Sequence, residues 1–108
     1  METIFKAAIR YKGNLYIGNR HCYIGIDMVE KGICPAPYPC DKDQGFVTSD
    51  GRYVDRIEGL AIAKAAGQIA FKHGNPDRLY SEDLWNVDGS PYTEAQIAAI
   101  TAKNKDQW

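Results

Sequence analysis

Side chains suited to binding phosphate and ribose are the most suggestive chemistry in this sequence. Guanidinium groups bind phosphate oxygens in pairs, hydroxyl and amide groups suit ribose, and an aromatic face can stack on a base. Residues of these kinds occur at Arg20, Phe46, Thr48, Ser49, Asp50, Arg52, Arg56 and Arg78. Each also has a plainer interpretation, with Phe46 in the core, Arg52 solvated in a turn and Arg56 in an ion pair on a helix. The sequence therefore predicts the parts of a nucleotide site without showing that they converge.

Metal binding and nucleophilic catalysis receive less support. A zinc set could be drawn from His21, Cys22, Cys34 and Cys40, but the six-residue step between the last two does not match common zinc motifs. His21 and Cys22 are adjacent, so on a helix their side chains point in different directions and do not form a nucleophile pair. We predict reduced cysteines, no metal and no cofactor.

Two neighbouring carboxylates, Glu82 and Asp83, could suggest acid–base work or a divalent ion. Adjacent residues of an extended segment point to opposite sides, so the alternative is that one of them caps a turn or pairs with an arginine. The sequence contains no phosphate-binding P-loop, no dinucleotide fingerprint and no Gly-x-Ser-x-Gly elbow. We therefore predict that the protein is not an enzyme.

Composition sets the scale of the domain. The 108 residues suit one ligand-binding domain spanning 1–108, and 44% hydrophobic with 25% charged residues is ordinary globular usage. A net charge of −1 argues against binding duplex nucleic acid, although a few arginines suffice for a small anion. No spanning apolar stretch or secretory signal is visible, so we expect no membrane association and a cytoplasmic location.

The first half of the sequence predicts two hairpins and a helix between them. The β-prone residues 4–11 and 15–17 flank Lys12-Gly13-Asn14, and residues 45–54 form two short runs around Asp50-Gly51, which favours a type I′ turn. Between them, residues 21–31 place Cys22, Ile26 and Val29 at helical spacing, with Gly32 as a left-handed cap.

The second half predicts two further helices. The first begins with a capping-box-like pair, Asp55 and Glu58, and ends at Lys72 and His73 before Gly74. Its small face, made of Ala61, Ala65 and Ala66, is expected to lie on the sheet. After a strand-like or irregular segment 79–85 and a turn-rich link 86–90, Ser90-Pro91 opens a last helix through Lys103, with Ile97 and Ile100 on one face. The predicted fold is α+β, a small single domain in which antiparallel hairpins form a sheet packed with two or three helices.

Several blocks of the sequence resemble a known family of short bacteriophage proteins. The most specific are Gly45-Phe46-Val47-Thr48-Ser49-Asp50-Gly51 and Ser81-Glu82-Asp83-Leu84. In these blocks the chain resembles the Thoeris anti-defence sponge family, whose members sequester signalling nucleotides of bacterial immune systems. The resemblance covers most of residues 6–85, but not the loop 34–40 or the residues after Trp85.

The resemblance implies a non-catalytic homo-oligomer that captures cyclic ADP-ribose variants in pockets at subunit contacts. For some relatives it also implies binding of cyclic oligonucleotides at separate sites. Side-chain chemistry then makes Phe46 the base-stacking candidate and Arg20, Arg56 and Arg78 the phosphate candidates. The expected ligand-binding residues are Arg20, Phe46, Thr48, Ser49, Asp50, Asp55, Arg56, Arg78 and Ser81. Two rival functions are a small nucleotide hydrolase and a protein that inhibits a defence enzyme directly.

Overall fold

The computed structural model describes residues 1–36, 43–70 and 72–105, with side chains through residue 99. Four strands form one antiparallel sheet in the order β2-β1-β3-β4. The strands are β1 Ile4–Tyr11, β2 Asn14–Gly18, β3 Gln44–Thr48 and β4 Tyr53–Val54. The helices are α1 His21–Glu30, α2 Arg56–Ala65 and α3 Glu94–Lys105, with a short 3-10 helix at Ser81–Asp83. The predicted α+β class is confirmed.

Both predicted hairpins are present, but they turn differently. In the first, Lys12 and Gly13 both have positive φ, 49° and 81°, which is the geometry of a type I′ turn. In the second, Gly51 has a φ of 81° while Asp50 does not enter the positive region, so the type I′ prediction is wrong there. The amide of Gly51 donates to Thr48 O (2.9 Å), and this longer loop brings Thr48 N to Arg52 O.

Helices α1 and α2 pack on the same face of the sheet and share one core. The core includes Ile24 and Met28 from α1, Leu60 and Ala63 from α2, and buried residues of β1, β3 and β4. Some residues of α1 and α2 that the sequence predicted to face the core do not face it. On α1, Cys22 and Ile26 are exposed, and on α2, Ala61 and Ala65 are exposed. Close packing of α2 depends instead on Gly59, where an added Cβ would lie 3.2 Å from Phe46 Cδ2.

Helix α2 is shorter than the sequence predicted. It ends at Ala65 because Gly67 takes a φ of 67°, which turns the chain out of the helix. Two amides beyond the end then donate hydrogen bonds to carbonyls of the last turn, Gly67 N to Lys64 O and Gln68 N to Ala63 O. This pair of bonds is a Schellman motif, which satisfies the last helical carbonyls. Lys72 and His73 therefore lie in an irregular segment beyond the helix.

The last helix also begins later than predicted. Trp85 and Pro91 form an isolated antiparallel bridge around the turn 86–89, so Pro91 is not in the helix. Thr93 instead caps α3: its Oγ1 accepts from Gln96 N (3.1 Å), and Gln96 Oε1 accepts from Thr93 N (2.9 Å). The side chain of Ile100, Cys40 and the terminal Trp108 lie outside the described residues. In the described parts of the chain, no helix has the length and apolar character needed to span a membrane.

Candidate functional site

A cleft of about 460 Å³ opens where α1, β3 and α2 begin. The fold brings together the first turn of α1, the first residue of β3, the first residue of α2, and the segment around the 3-10 helix. Its lining residues are Arg20, His21, Cys22, Tyr23, Gln44, Arg56, Tyr80, Glu82 and Val87. A cavity of this volume falls within the range of small-molecule sites.

Arg20 joins the start of α1 to the C-terminal third of the chain. Its side chain is buried, and its guanidinium donates to Ser81 O (3.2 Å), to Trp85 O (2.6 Å) and to the hydroxyl of Tyr92 (3.3 Å). These acceptors are neutral, so they hold the guanidinium in place without cancelling its charge. The nearest carboxylate oxygen in an ion pair with it, Oε1 of Glu82, lies 3.8 Å from Nε.

Arg56 is held in a similar way on the other side of the cleft. Its Nη1 donates to Leu79 O and its Nη2 to Gln44 Oε1, each over 2.8 Å. The guanidinium carbon lies 4.9 Å from the ring centroid of Tyr80, and Lys72 Nζ lies at the same distance from that ring. Cation–π contacts of this kind fix an aromatic face next to positive charge.

The electrostatics of the cleft favour an anion. Helix α1 has no acidic residue in its first turn, and Arg20 at its N-cap position makes no side-chain capping bond. The positive end of the helix dipole therefore faces the cleft beside Arg20 and Arg56. Burial of Glu82 opposes its ionisation, but the hydrogen bond from the Ser81 hydroxyl and the charge of Arg20 outweigh it, so the pKa of Glu82 is lowered. Glu82 is thus ionised and offsets part of the charge of Arg20, while Arg56 and the start of α1 keep the cleft positive.

Asp83 does not share a site with Glu82. Its side chain is fully buried, and Oδ1 accepts from the backbone amide of His73 (2.6 Å) while His73 Nδ1 lies 3.0 Å away. Oδ2 accepts from Tyr80 N (2.9 Å) and pairs with Lys72 Nζ (2.9 Å). The carboxylate organises the irregular segment that frames the cleft, as the capping alternative predicted.

The structure brings Arg20 and Arg56 together and leaves other candidate residues elsewhere. Phe46 has no exposed surface, and its ring meets that of His21 edge-on with centroids 5.1 Å apart. Its predicted base-stacking role is wrong, because a base cannot reach a ring enclosed in the core. Ser81 is buried behind the cleft, where its hydroxyl donates to Glu82 Oε1 (2.8 Å). Arg78 is exposed and does not line the cleft.

The hydroxyl and acidic candidates of the second hairpin serve local structure. Thr48 lies at the far end of β3 from Gln44, about 13 Å away at the usual rise of a strand. Its Oγ1 accepts from the amides of Asp50 and Arg52 (3.2 and 3.4 Å), and Ser49 Oγ accepts from Thr3 N (3.0 Å). Asp50 is exposed in the turn.

Asp55 performs the predicted cap, since its Oδ1 accepts from Ile57 N (3.0 Å) and Glu58 N (2.8 Å). Glu58 does not complete the predicted capping box, because its carboxylate binds Arg52 (2.7 Å). Arg52 also binds Glu2 (2.8 Å), so it is an exposed ion-pairing residue of the hairpin.

Seven of the nine residues that line the cleft were not predicted as ligand-binding residues, among them Tyr80, Gln44 and His21. Tyr80 and Gln44 hold or contact Arg56, and His21 lies with Nε2 2.7 Å from Gly45 O. Tyr80 directly precedes Ser81-Glu82-Asp83, so its position in that block was the available signal. Of the cysteines, Cys22 is exposed in the cleft and Cys34 is buried in the core. In the part of the chain that is described, no three His, Cys, Asp or Glu residues are grouped so that they could hold a metal ion.

The family model for the Phage T4 y16D protein matches residues 3–85, which is more than half of the chain. The chain belongs to the Phage T4 y16D protein family. The match contains β1 to α2 and the whole segment that frames the cleft. No curated protein and no solved structure matches the chain. The sequence-based assignment to a phage protein family is thereby confirmed at this coarser level.

Proposed function

We propose that this member of the Phage T4 y16D protein family binds a small phosphate-bearing nucleotide in the cleft and sequesters it without turnover. The observation that carries the proposal is the convergence of Arg20, Arg56 and the uncapped start of α1 on one cavity. Guanidinium groups and helical amides are the usual donors to phosphate oxygens. The ring of Tyr80, next to Arg56, offers an aromatic surface for a base.

The proposed ligand class is the cyclic nucleotide signals of bacterial immunity, with cyclic ADP-ribose variants first and cyclic oligonucleotides second. Membership of a phage family supports an accessory role in infection. Cyclic ADP-ribose carries a pyrophosphate, riboses and a purine, which suit the arginines, the amide of Gln44 and the ring of Tyr80. In this role the protein is an anti-defence sponge that acts in the cytoplasm of the infected host.

Sequestration is favoured over hydrolysis because the acidic pair is divided. Asp83 is committed to His73, Tyr80 and Lys72, and only Glu82 reaches the cleft. Mass spectrometry can separate the two functions: cyclic ADP-ribose recovered intact after incubation and denaturation supports the sponge, and recovered product supports the hydrolase. Direct inhibition of a defence enzyme would instead require a complex with that enzyme in the absence of nucleotide.

Arg56→Lys tests the cleft, because it keeps the charge and removes the planar fork. We expect cyclic ADP-ribose to bind at least about tenfold more weakly to this variant, since hydrogen bonds to charged groups contribute about 1.5–3 kcal/mol. Arg78→Lys is the matched control outside the cleft and should bind like the wild type. Isothermal titration gives the affinities, and thermal unfolding shows whether each variant is folded.

Alkylation of Cys22 is an independent measure of whether the cleft is occupied by ligand, because its exposed thiol lines the cleft. Bound cyclic ADP-ribose should slow alkylation of Cys22, measured by peptide mass mapping. Equal affinity of Arg56→Lys and wild type, with no protection of Cys22, would place the ligand elsewhere.

We further propose that copies of the chain associate through α3, where Ile97 is half-buried. The wild type should then have a mass in solution above the 12.1 kDa of one chain. Ile97→Asp combined with Ile100→Asp should give monomers, whereas Ala98→Asp, at an exposed position of the same helix, should not. Light scattering on a sizing column makes the comparison. A monomeric wild type that still binds cyclic ADP-ribose would show that one chain builds the whole site.

A further inference from the structure

The face of the sheet opposite α1 and α2 carries large exposed side chains. Phe5, Leu15 and Ile17 are 55%, 43% and 54% exposed. The register pairs Ala8 with Ile17 and Arg10 with Leu15, so these residues of β1 and β2 share one face. That face is separate from the core side, where Ala7 and Ile9 point.

Two aromatic rings on this open face each lie next to a positively charged side chain. The register between β1 and β3 shifts between Ile4 and Lys6, and such a bulge re-aims side chains, which leaves Phe5 exposed beside Lys6. Lys6 Nζ lies 5.8 Å from the Phe5 ring centroid, and the Arg10 guanidinium carbon lies 4.8 Å from that of Tyr53.

Gly45 explains how the second ring lies on the sheet. An added Cβ at Gly45 would come within 2.8 Å of Tyr53 Cζ, so the absence of a side chain lets the Tyr53 ring cross the strand. The Tyr53 ring is thus only partly exposed, since it lies against Gly45 with its hydroxyl buried and the Arg10 guanidinium over it. Phe5 on β1 is the open ring of this face.

Charge is segregated toward this face. Residues 3–26 contain Lys6, Arg10, Lys12 and Arg20 and no aspartate or glutamate, although the whole chain has a net charge of −1. Lys6 and Arg10 belong to the open face itself, and Lys12 lies in the turn that joins its two strands. The positive charge of Lys6, Arg10 and Lys12 attracts a polyanion to this part of the sheet.

We propose that the open sheet face binds single-stranded nucleic acid. A base stacks on Phe5, Lys6 and Arg10 neutralise phosphates, and Leu15 and Ile17 cover the sugars and base edges. An exposed aromatic ring on an antiparallel sheet next to cations is a recurring platform for unpaired bases, because every base has a stacking face. The inference does not depend on the cleft, whose Arg56 and Tyr80 belong to other elements.

Fluorescence anisotropy with labelled oligothymidine and oligouridine tests the proposal on the full chain. We expect binding that weakens as salt rises, because phosphate contacts release counterions. Phe5→Ala should weaken binding about tenfold, the order of effect of losing one stacked base. Ile57→Ala is the matched control, since Ile57 is 63% exposed on α2, and it should bind like the wild type. Lys6→Ala with Arg10→Ala should reduce the salt dependence.

Three results would overturn the proposal. One is no anisotropy change with either oligonucleotide while the protein is folded. Another is equal affinity of Phe5→Ala and Ile57→Ala. The third is evidence that the face has another occupant. Such evidence is either a wild-type dimer that Phe5→Ala dissociates, or binding to anionic lipid vesicles that Phe5→Ala weakens while no oligonucleotide binds.

Discussion

Phe46→Ala is expected to lower the free energy of unfolding by about 3–5 kcal/mol, the usual cost of removing a buried aromatic ring. Phe46 has no exposed surface, contacts the backbone of α2 at Gly59 and meets the His21 ring edge-on. Truncation would leave a cavity between the sheet and both helices. Urea unfolding followed by circular dichroism measures the loss.

Phe5→Ala is the control, because it makes the same truncation at a phenylalanine that is 55% exposed. We expect it to change stability by about 0.5 kcal/mol or less. If Phe46→Ala instead kept wild-type stability and lost only ligand binding, the assignment of Phe46 to the core would be mistaken. The result would then support the sequence-based prediction that Phe46 stacks on a base.

Asp83→Asn is expected to lower the free energy of unfolding by about 3 kcal/mol, since it breaks a buried pair and leaves charged and backbone donors without a full set of acceptors. An asparagine amide offers one oxygen and one NH2 group, so it cannot accept at both the His73 side and the Tyr80–Lys72 side. The segment 72–83 should loosen, and because it positions Tyr80, affinity for cyclic ADP-ribose should fall as well.

Glu82→Gln is the neighbouring control, because the Glu82 side chain is 50% exposed and its pair with Arg20 is long. Its effect on stability should be about 1 kcal/mol or less. Urea unfolding of both variants makes the comparison, with amide hydrogen exchange of residues 72–85 as a local probe. Wild-type protection of this segment in Asp83→Asn would show that the carboxylate does not organise it.

The local elements of this fold could be predicted where their determinants lie close together in the sequence. Lys12-Gly13 marks the first hairpin and Asp55 caps α2, and each signal acts over a few residues. The end of α2 could not be predicted in this way, because Gly67 and Gly74 both take positive φ and both could end a helix. Gln68 favours the earlier end, since its side chain donates to Ile4 O (2.9 Å) and accepts from Ile4 N (2.7 Å), contacts with a residue distant in the sequence.

The candidate site was predicted in part for the same reason. Side-chain chemistry selects Arg20 and Arg56, but only tertiary structure brings them to one cleft. Phe46 was assigned to the ligand because hydroxyl residues follow it, whereas the pleat of β3 turns it toward α2. Thr48 and Ser49 have hydroxyls suited to ribose, yet backbone amides, of Asp50 and of the distant Thr3, already donate to them.

The hydrogen bonds of Arg20 also bear on the order in which parts of the structure form. They join it to Ser81 and Trp85, 61 and 65 residues away, and Trp85 Nε1 returns to Asn19 O across 66 residues. Closing so large a loop costs more chain entropy than forming the hairpins, so we expect these contacts to form after the hairpins. On the ribosome, the N-terminal sheet is complete in sequence once Val54 has been made, but the cleft must wait for Trp85. A nascent chain therefore contains every strand of its sheet before it contains all of its site.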